Sequence, residues 1–358
     1  MTLVSLESPA PHIETLAART PNVSAASLLE EFVPPRHFAQ AAFENYRANP
    51  KYPSQSATLA RLSEVASELA GTKGGWLHKF KISSKKAPAI YLDGGFGVGK
   101  THLLASLAHA VGVEKTAYGT FVEYTNLVGA LGFAATVDAL SSKTLVCIDE
   151  FELDDPGDTV LMSRLLRELA DRGIALAATS NTLPDSLGEG RFDADDFLRE
   201  IQVMASRFEV MRVDGEDYRR RSAPSSMPGL PDSELADLAC SVAAGNGVIT
   251  LDPFDEVLDH LRFVHPSKYG AMLDGIALVA LSGVHGLEDQ NMGLRFVVLV
   301  DRLYDRDVPV LLGGSGLENL FSQTMLNGGY RKKYFRALSR LAALAQDGRV
   351  LIGQAITE

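Results

Sequence analysis

The sequence predicts an α/β protein in which a parallel sheet carries helices on both faces, and three observations predict it. The stretch Gly94-Gly95-Phe96-Gly97-Val98-Gly99-Lys100-Thr101 reads G-x-x-x-x-G-K-T, between an apolar run at 87–92 and a helical pattern at 102–110. Short, continuously apolar runs then alternate with amphipathic stretches to about residue 213, as expected where both faces of a sheet are covered. Polar residues gather where those runs end: Lys100, Asp149, Glu150 and Asn181. Open parallel sheets bind ligands at the carboxyl ends of their strands.

Composition narrows the classes. With 358 residues the chain has room for two or three domains. A formal charge of −11, without any long Lys/Arg run, argues against general nucleic-acid binding. The 2 cysteines, Cys147 and Cys240, have no metal-ligand spacing and suit a reducing cytosol. The first residues lack a basic segment followed by an apolar core, so no signal peptide is expected. No apolar stretch approaches the ~18 residues of a spanning helix. A soluble, cytoplasmic protein without membrane insertion is expected.

In chain order, 1–24 is rich in Pro, Ser and Thr and is expected to be loosely held. A short helix at 28–32 stops at Pro34 and Pro35, and 37–46 has apolar and aromatic residues at helical spacing. A further amphipathic helix is expected over 57–70, followed by a basic, turn-rich segment at 73–86. After the glycine loop come a helix to 111, a strand at 119–124, a helical stretch at 127–140 and a strand at 145–148. A helix at 161–172, a strand at 174–178, a helix at 196–206 and a strand at 208–213 complete this region. The Pro/Ser/Arg-rich segment 219–233 reads as a linker. Beyond it are expected helices at 255–264, 294–306 and 330–345 and strands at 276–281 and 308–312. The domain expectation is therefore 1–86 as a helical segment packed on the core, 87–220 as the nucleotide core, 221–254 as linker, and 255–358 as an α/β or helical extension. Two stretches look alike: LRELADRGIAL in the core and VDRLYDRDVPV in the extension. An internal duplication and ordinary helix-to-strand chemistry both account for that.

The chemistry follows from residue types. A glycine-rich turn leading into a helix start points backbone N–H groups and the positive end of the helix dipole at one spot, which suits phosphate. The expected nucleotide contacts are Gly94, Gly95, Phe96, Gly97, Val98, Gly99, Lys100, Thr101 and His102. Lys100 reaches the β/γ-phosphates, and the Thr101 hydroxyl binds Mg2+. Asp149 and Glu150 end an apolar run, where Asp149 would hold Mg2+ through its water shell and Glu150 would activate the attacking water. Asn181 suits a sensor that orients that water. Arg207 is the first candidate for an arginine finger, with Arg191 and Arg199 as rivals. Phe133 reads as a core aromatic rather than a pore-loop residue. No metal site is expected beyond that of Mg2+.

The stretches VPPRHF with YPSQ, YLDGGFGVGKTHLL, CIDEFELDDPGD, LAATSNTLPDSL, VDGEDYRRR, RFVVLVDRLYDRDVPV and YFRALSRL follow one another from 33 to 341. Through them the chain resembles the ZapE-type cell-division ATPases, bacterial relatives of the mitochondrial lactation-elevated AAA ATPases. The Asp149-Glu150-Phe151 extension, Asp217-Tyr218-Arg219 and 295–304 are more specific than the glycine loop. The resemblance implies a P-loop core of AAA+ type, ATP as substrate, and a septal role modulating assembly of the division protein FtsZ. It carries the roles above onto Lys100, Thr101, Asp149, Glu150 and Asn181. Where family members have a basic, histidine-containing stretch, this chain has LVGALGFAATVDAL, and the region around Arg191 does not align.

The expected function is thus Mg2+-dependent ATP hydrolysis by a nucleotide-dependent homo-oligomeric ring that remodels a protein partner. Two other readings remain at this point. A helicase-loader-like ATP switch would respond to single-stranded DNA, which the acidic balance disfavours. A P-loop kinase would need an arginine-rich lid, which is not evident.

Overall fold

The computed structural model describes residues 13–21, 24–71, 87–95, 97–151, 156–183, 202, 205–216, 227–242 and 247–357. The chain forms two compact units, 24–222 and 223–358 together with the segment ahead of residue 24. In chain order the first element is a two-residue strand, β1 (Ile13–Glu14), which belongs to the second unit.

The first unit contains α1 (Ala25–Glu30), α2 (Pro53–Leu69), β2 (Ala89–Asp93), α3 (Lys100–Val111), β3 (Thr116–Thr120), α4 (Phe121–Leu131), α5 (Phe133–Leu140), β4 (Leu145–Asp149), α6 (Pro156–Asp171), β5 (Ala175–Ser180) and β6 (Glu209–Arg212). Its sheet is wholly parallel, in the order β3-β4-β5-β2-β6. The strand of the glycine loop therefore neighbours β5, not β4, so the carboxyl ends of β2, β5 and β4 stand side by side. Every residue of β4 and β5 is buried, which explains their continuously apolar runs. On one face Ile90, Leu92, Leu145, Cys147 and Ala177 meet α2 and α3. There Leu103, Leu104 and Leu107 are fully buried, and trimming any of them to alanine should cost about 2–5 kcal/mol. On the other face Tyr91 and Phe121 both pack edge-on against Phe151.

Several sequence expectations are corrected here. The strand expected at 119–124 ends at Thr120. The Thr120 side chain accepts from the Glu123 N–H while Glu123 accepts from the Thr120 N–H, a capping box that starts α4. The helix expected at 37–46 is instead two single 3₁₀ turns, Arg36–Phe38 and Phe43–Asn45. The Asn45 side chain accepts from the Ala42 N–H and donates to the Gln40 carbonyl, local bonds that compete with a helix. Gly132, at φ +82°, breaks the expected 127–140 helix into α4 and α5. The helix expected at 196–206 lies almost wholly outside the described residues.

The second unit continues with α7 (Asp232–Ser241), β7 (Val248–Pro253), α8 (Phe254–Phe263), α9 (Tyr269–Met272), β8 (Ile276–Ser282), α10 (Gln290–Asp305), β9 (Val310–Leu312), α11 (Gln323–Asn327) and α12 (Arg331–Thr357). Its sheet is parallel, in the order β1-β7-β8-β9. Alternate residues of β8 face opposite cores: Val279 and Leu281 meet α8, α10 and α12, whereas Leu278 and Ala280 meet α7. The linker expected over 221–254 thus contains a helix and a strand, because Leu235, Ala239 and Ile249 supply a core face that linker composition conceals. Within the stretch expected to be loose, residues 13–17 are anchored through β1 and Leu16. The Leu16 and Ala17 N–H groups donate to the Asp252 carboxylate, and Leu16 is fully buried. No helix among the described residues is long and apolar enough to cross a membrane.

Candidate functional site

The loop after β2 turns because its glycines permit it. Gly97 and Gly99 have φ of +67° and +91°, a region costly for other residues. A Cβ on Gly94 would collide with the Val213 carbonyl oxygen, so that position needs hydrogen for close approach as well. A Cβ on Gly99 would lie 2.7 Å from the Tyr46 ring. The Tyr46 hydroxyl donates to the Val98 carbonyl at 3.2 Å, so the segment before α2 braces the loop from outside. Gln55, itself buried, donates to the Asp214 carbonyl at 2.7 Å and accepts from the Asn49 N–H at 2.8 Å. Phe96 lies outside the described residues.

Lys100 is buried at the start of α3. Its ammonium donates to the Gly94 and Gly95 carbonyls at 2.7 and 2.5 Å, and to Asn181 Oδ1 at 2.9 Å. The loop lysine and the expected sensor are thus in direct contact across β2 and β5. The His102 side chain turns the other way. Its Nε2 lies 3.2 Å from the Ala42 carbonyl, and its ring packs against Tyr46 and Phe38.

Asp149 ends β4 as a buried carboxylate, and both of its oxygens are hydrogen-bonded. Oδ1 accepts from the Thr101 hydroxyl at 3.3 Å, from the Glu150 N–H at 3.1 Å, and from the Thr179 hydroxyl. Oδ2 accepts from the Tyr118 hydroxyl at 3.1 Å. Burial, and after it the Asp149 charge, push the Tyr118 phenol well above its ordinary pKa, so it stays a donor. Glu150 follows with φ +54°, a left-handed conformation rare for a side-chain-bearing residue. Its N–H also donates to Thr179 Oγ1 at 3.1 Å, and the next N–H, of Phe151, donates to the Thr179 carbonyl at 2.6 Å. With Phe151 fully buried, the turn is pinned on both sides of Glu150, as a strained residue requires.

The donor set suits Mg2+. A threonine hydroxyl and a carboxylate oxygen in contact are hard oxygen ligands, and Mg2+ takes few protein ligands while keeping phosphate oxygens and water. Among the described residues no cluster of His, Cys, Asp and Glu forms a separate metal cage.

The structure therefore brings Lys100, Thr101, Asp149, Glu150 and Asn181 to one edge of the sheet. Arg207 is not among them. It precedes β6 and pairs with Asp171, the last residue of α6, at 3.5 Å. That is the amino edge of the strands, so Arg207 cannot reach the phosphate site of its own chain. Arg191 and Arg199 lie outside the described residues. Phe133 opens α5 beneath the Arg164 guanidinium, 4.2 Å from its ring centroid. Tyr118 escaped sequence reasoning. Thr179 stands with Ser180 and Asn181 just after an apolar run, where the sequence offers neutral hydrogen-bonders for the γ-phosphate; its hydroxyl instead engages Asp149. Tyr118 sits inside a strand, where nothing in the sequence distinguishes it from a packing residue.

A five-stranded parallel sheet with the glycine-loop strand beside β5, closed by a lysine, an acid pair and an asparagine, defines a P-loop nucleoside-triphosphatase core of AAA+ type. The sequence matches the AFG1-like ATPase family over 22–241 and 232–351, and the chain belongs to that family. It is 30% identical over 190 residues to the cell division protein ZapE of Escherichia coli K12, covering 50% of this chain and 48% of that protein. It is 23% identical over 229 residues to lactation elevated protein 1 homolog B of Danio rerio, covering 55% and 45%. The chain thus spans about half the length of these curated relatives. Among solved structures, domain III of the Thermotoga maritima replication initiation protein DnaA overlaps 57% of this chain and 73% of that one, at TM-score 0.36 and 18% identity.

Proposed function

We propose that the chain is a Mg2+-dependent ATP hydrolase that couples turnover to remodelling of a protein partner in cell division. The observation that supports this most is the convergence of Lys100, Thr101, Asp149, Glu150 and Asn181 on one carboxyl edge. Membership of an ATPase family favours adenosine triphosphate over other nucleotides.

The loop N–H groups at 94–99 cradle phosphate oxygens, and the Lys100 ammonium exchanges the Gly94 and Gly95 carbonyls for them. Thr101 and Asp149 would hold Mg2+, which would supply charge neutralisation at the phosphates. Glu150 stands beside Asp149 with its backbone fixed, so its carboxylate takes the proton as water oxygen bonds to the γ-phosphorus and the bond to the β-phosphate oxygen breaks. Asn181, held against Lys100, orients that water. A general base of this kind contributes roughly 10²–10⁴ in rate. Since Arg207 lies at the opposite edge of the sheet, its role is that of a finger offered to a neighbouring chain in a nucleotide-dependent ring, where such residues add roughly 10³–10⁵. The partner, FtsZ at the septum, follows from the resemblance alone; the name of the bacterial relative supports a role in cell division.

Phosphate release by wild type, Glu150→Gln and Lys100→Ala, paired with nucleotide affinity, tests the site. Glu150→Gln should bind ATP normally and turn over at least 100-fold more slowly, roughly the lower limit for a lost base. Equal turnover removes Glu150 from that role, and undiminished affinity in Lys100→Ala removes the phosphate assignment. Mixing Glu150→Gln with Arg207→Ala should restore activity if the finger acts between chains. FtsZ polymer pelleting that ignores the protein and ATP would exclude that partner.

A further inference from the structure

The two look-alike stretches of sequence turn out to occupy the same place in two sheets. The first unit runs β2-α3-β3-α4-α5-β4-α6-β5, and the second runs 227–230, α7, β7, α8, α9, β8, α10, β9. Strands β3-β4-β5 and β7-β8-β9 have the same spatial order. The Leu230 N–H donates to the Leu312 carbonyl at 2.8 Å, which lays 227–230 beside β9 on the side that β2 holds beside β5.

Right-handed β-α-β winding would give that order alone; it would not give the detailed match. Thr120 and Pro253 each end a strand and lead without a loop into a helix beginning Phe-x-Glu, at Phe121 and Glu123 and at Phe254 and Glu256. Thr120 opposes Asp149, and Pro253 opposes Ser282. By this register Ser282 and Gly283 stand where Asp149 and Glu150 stand, and Gly283 has the same left-handed backbone, φ +64° against +54°. Helices α6 and α10 are both 16 residues long. Each leads through Asp-Arg into a left-handed residue, Gly173 at +82° and Asp307 at +52°. Each turn is closed by the same bond at 3.0 Å, Ile174 N–H to Leu169 carbonyl and Val308 N–H to Leu303 carbonyl. Ile148 opposes Ala178 as Leu281 opposes Leu312, so Gly313, Gly314 and Ser315 replace Thr179, Ser180 and Asn181.

What differs is the chemistry. In place of the loop 94–99, Pro231 alone separates 227–230 from α7, and proline has no N–H to offer a phosphate. In place of Lys100, α7 opens with Asp232. Its Oδ1 accepts from the Gly283 N–H at 2.9 Å and from the Gly314 N–H at 3.1 Å. These donors lie at the carboxyl ends of β8 and β9, where a sheet of this kind receives an anion. The same oxygen lies where a Cβ on Gly313 would have to be.

We propose that the second unit is a degenerate copy of the ATPase core, closed to nucleotide because the Asp232 carboxylate occupies the place of a phosphate, so that each chain binds one nucleotide. This rests on the assignment of the Lys100 site above. The lysine, both acids and the asparagine of that site are all lost from the copy. The Asp232 carboxylate now holds its strand-end loops, as a bound phosphate would hold those of the first unit.

Equilibrium titration with a non-hydrolysable ATP analogue and Mg2+ should give one equivalent per wild-type chain and none for Lys100→Ala. A photoreactive azido-ATP should label only residues before 223. Two equivalents, or labelling beyond 223, would overturn the proposal, whereas no binding by wild type would instead overturn the nucleotide assignment itself. In a Lys100→Ala background, Asp232→Gly should make the thermal midpoint respond to inorganic phosphate and acetate, while the Asp232 parent should not respond. Equal responses would show that Asp232 is not the anion's replacement.

Discussion

The Tyr118 hydroxyl donates to Asp149 Oδ2 at 3.1 Å, from the neighbouring strand and within the buried sheet. With Thr179 and Thr101 on Oδ1, it fixes the plane of the carboxylate expected to face Mg2+. Replacing Tyr118 by phenylalanine keeps the packing and removes the donor. Mg2+-dependent binding of a fluorescent ATP analogue should then need about tenfold more Mg2+, a loss of about 1.4 kcal/mol, near the low end for a hydrogen bond to a charged group. A Mg2+ midpoint equal to that of wild type would mean that the threonines suffice.

Glu150 sits at φ +54°, and the copy of this turn in the second unit has glycine there. Strain of this type costs about 1–3 kcal/mol, part of which glycine's larger unfolded-state entropy offsets. Glu150→Gly should therefore be more stable than wild type by about 1 kcal/mol while losing hydrolysis. Urea unfolding read beside phosphate release checks both, and a Glu150→Gly protein less stable than wild type would show that the turn is relaxed.

His285 offers a pH-dependent prediction in the second unit. Its Nε2 lies 2.8 Å from Asp255 Oδ1 and its Nδ1 3.0 Å from the Gly286 carbonyl. Only the doubly protonated ring donates to both. The Asp255 hydrogen bond, followed by that to Gly286, raises the His285 pKa above its ordinary value. A pKa raised by folding stabilises fully below the unfolded value, about 6.5, and the gain fades as pH rises through the folded value. The pair is exposed, so the energy is small and the titration itself is the better readout. In an NMR titration, Asp255→Asn should bring the His285 midpoint down toward the ordinary histidine value; no movement would assign the shift elsewhere.

Much of the candidate site was legible in sequence because each of its residues announces itself locally. Lys100 and Thr101 follow a glycine spacing that only a tight turn into a helix requires. Asp149 and Asn181 interrupt or follow apolar runs long enough to be strands. Helix and strand boundaries failed where a side chain competed with the backbone, as with Asn45 at the two 3₁₀ turns and Thr120 with Glu123 at the start of α4.

The sequence by itself determined the parallel α/β class, the glycine-rich turn, the Asp149-Glu150 pair and the family, since all of these reside in short contiguous stretches. Tertiary structure alone decided which strand lies beside β2, and with it the Lys100–Asn181 contact. It also drew Tyr118 and Thr179 onto Asp149 and sent Arg207 to the far edge. In the second unit the pairing of Ile13 with Ile249 and the seat of Asp232 on Gly283 and Gly314 were likewise hidden. These are contacts between residues far apart in the chain. They are set by strand order and register, which depend on how whole faces bury one another and leave no mark on any single stretch.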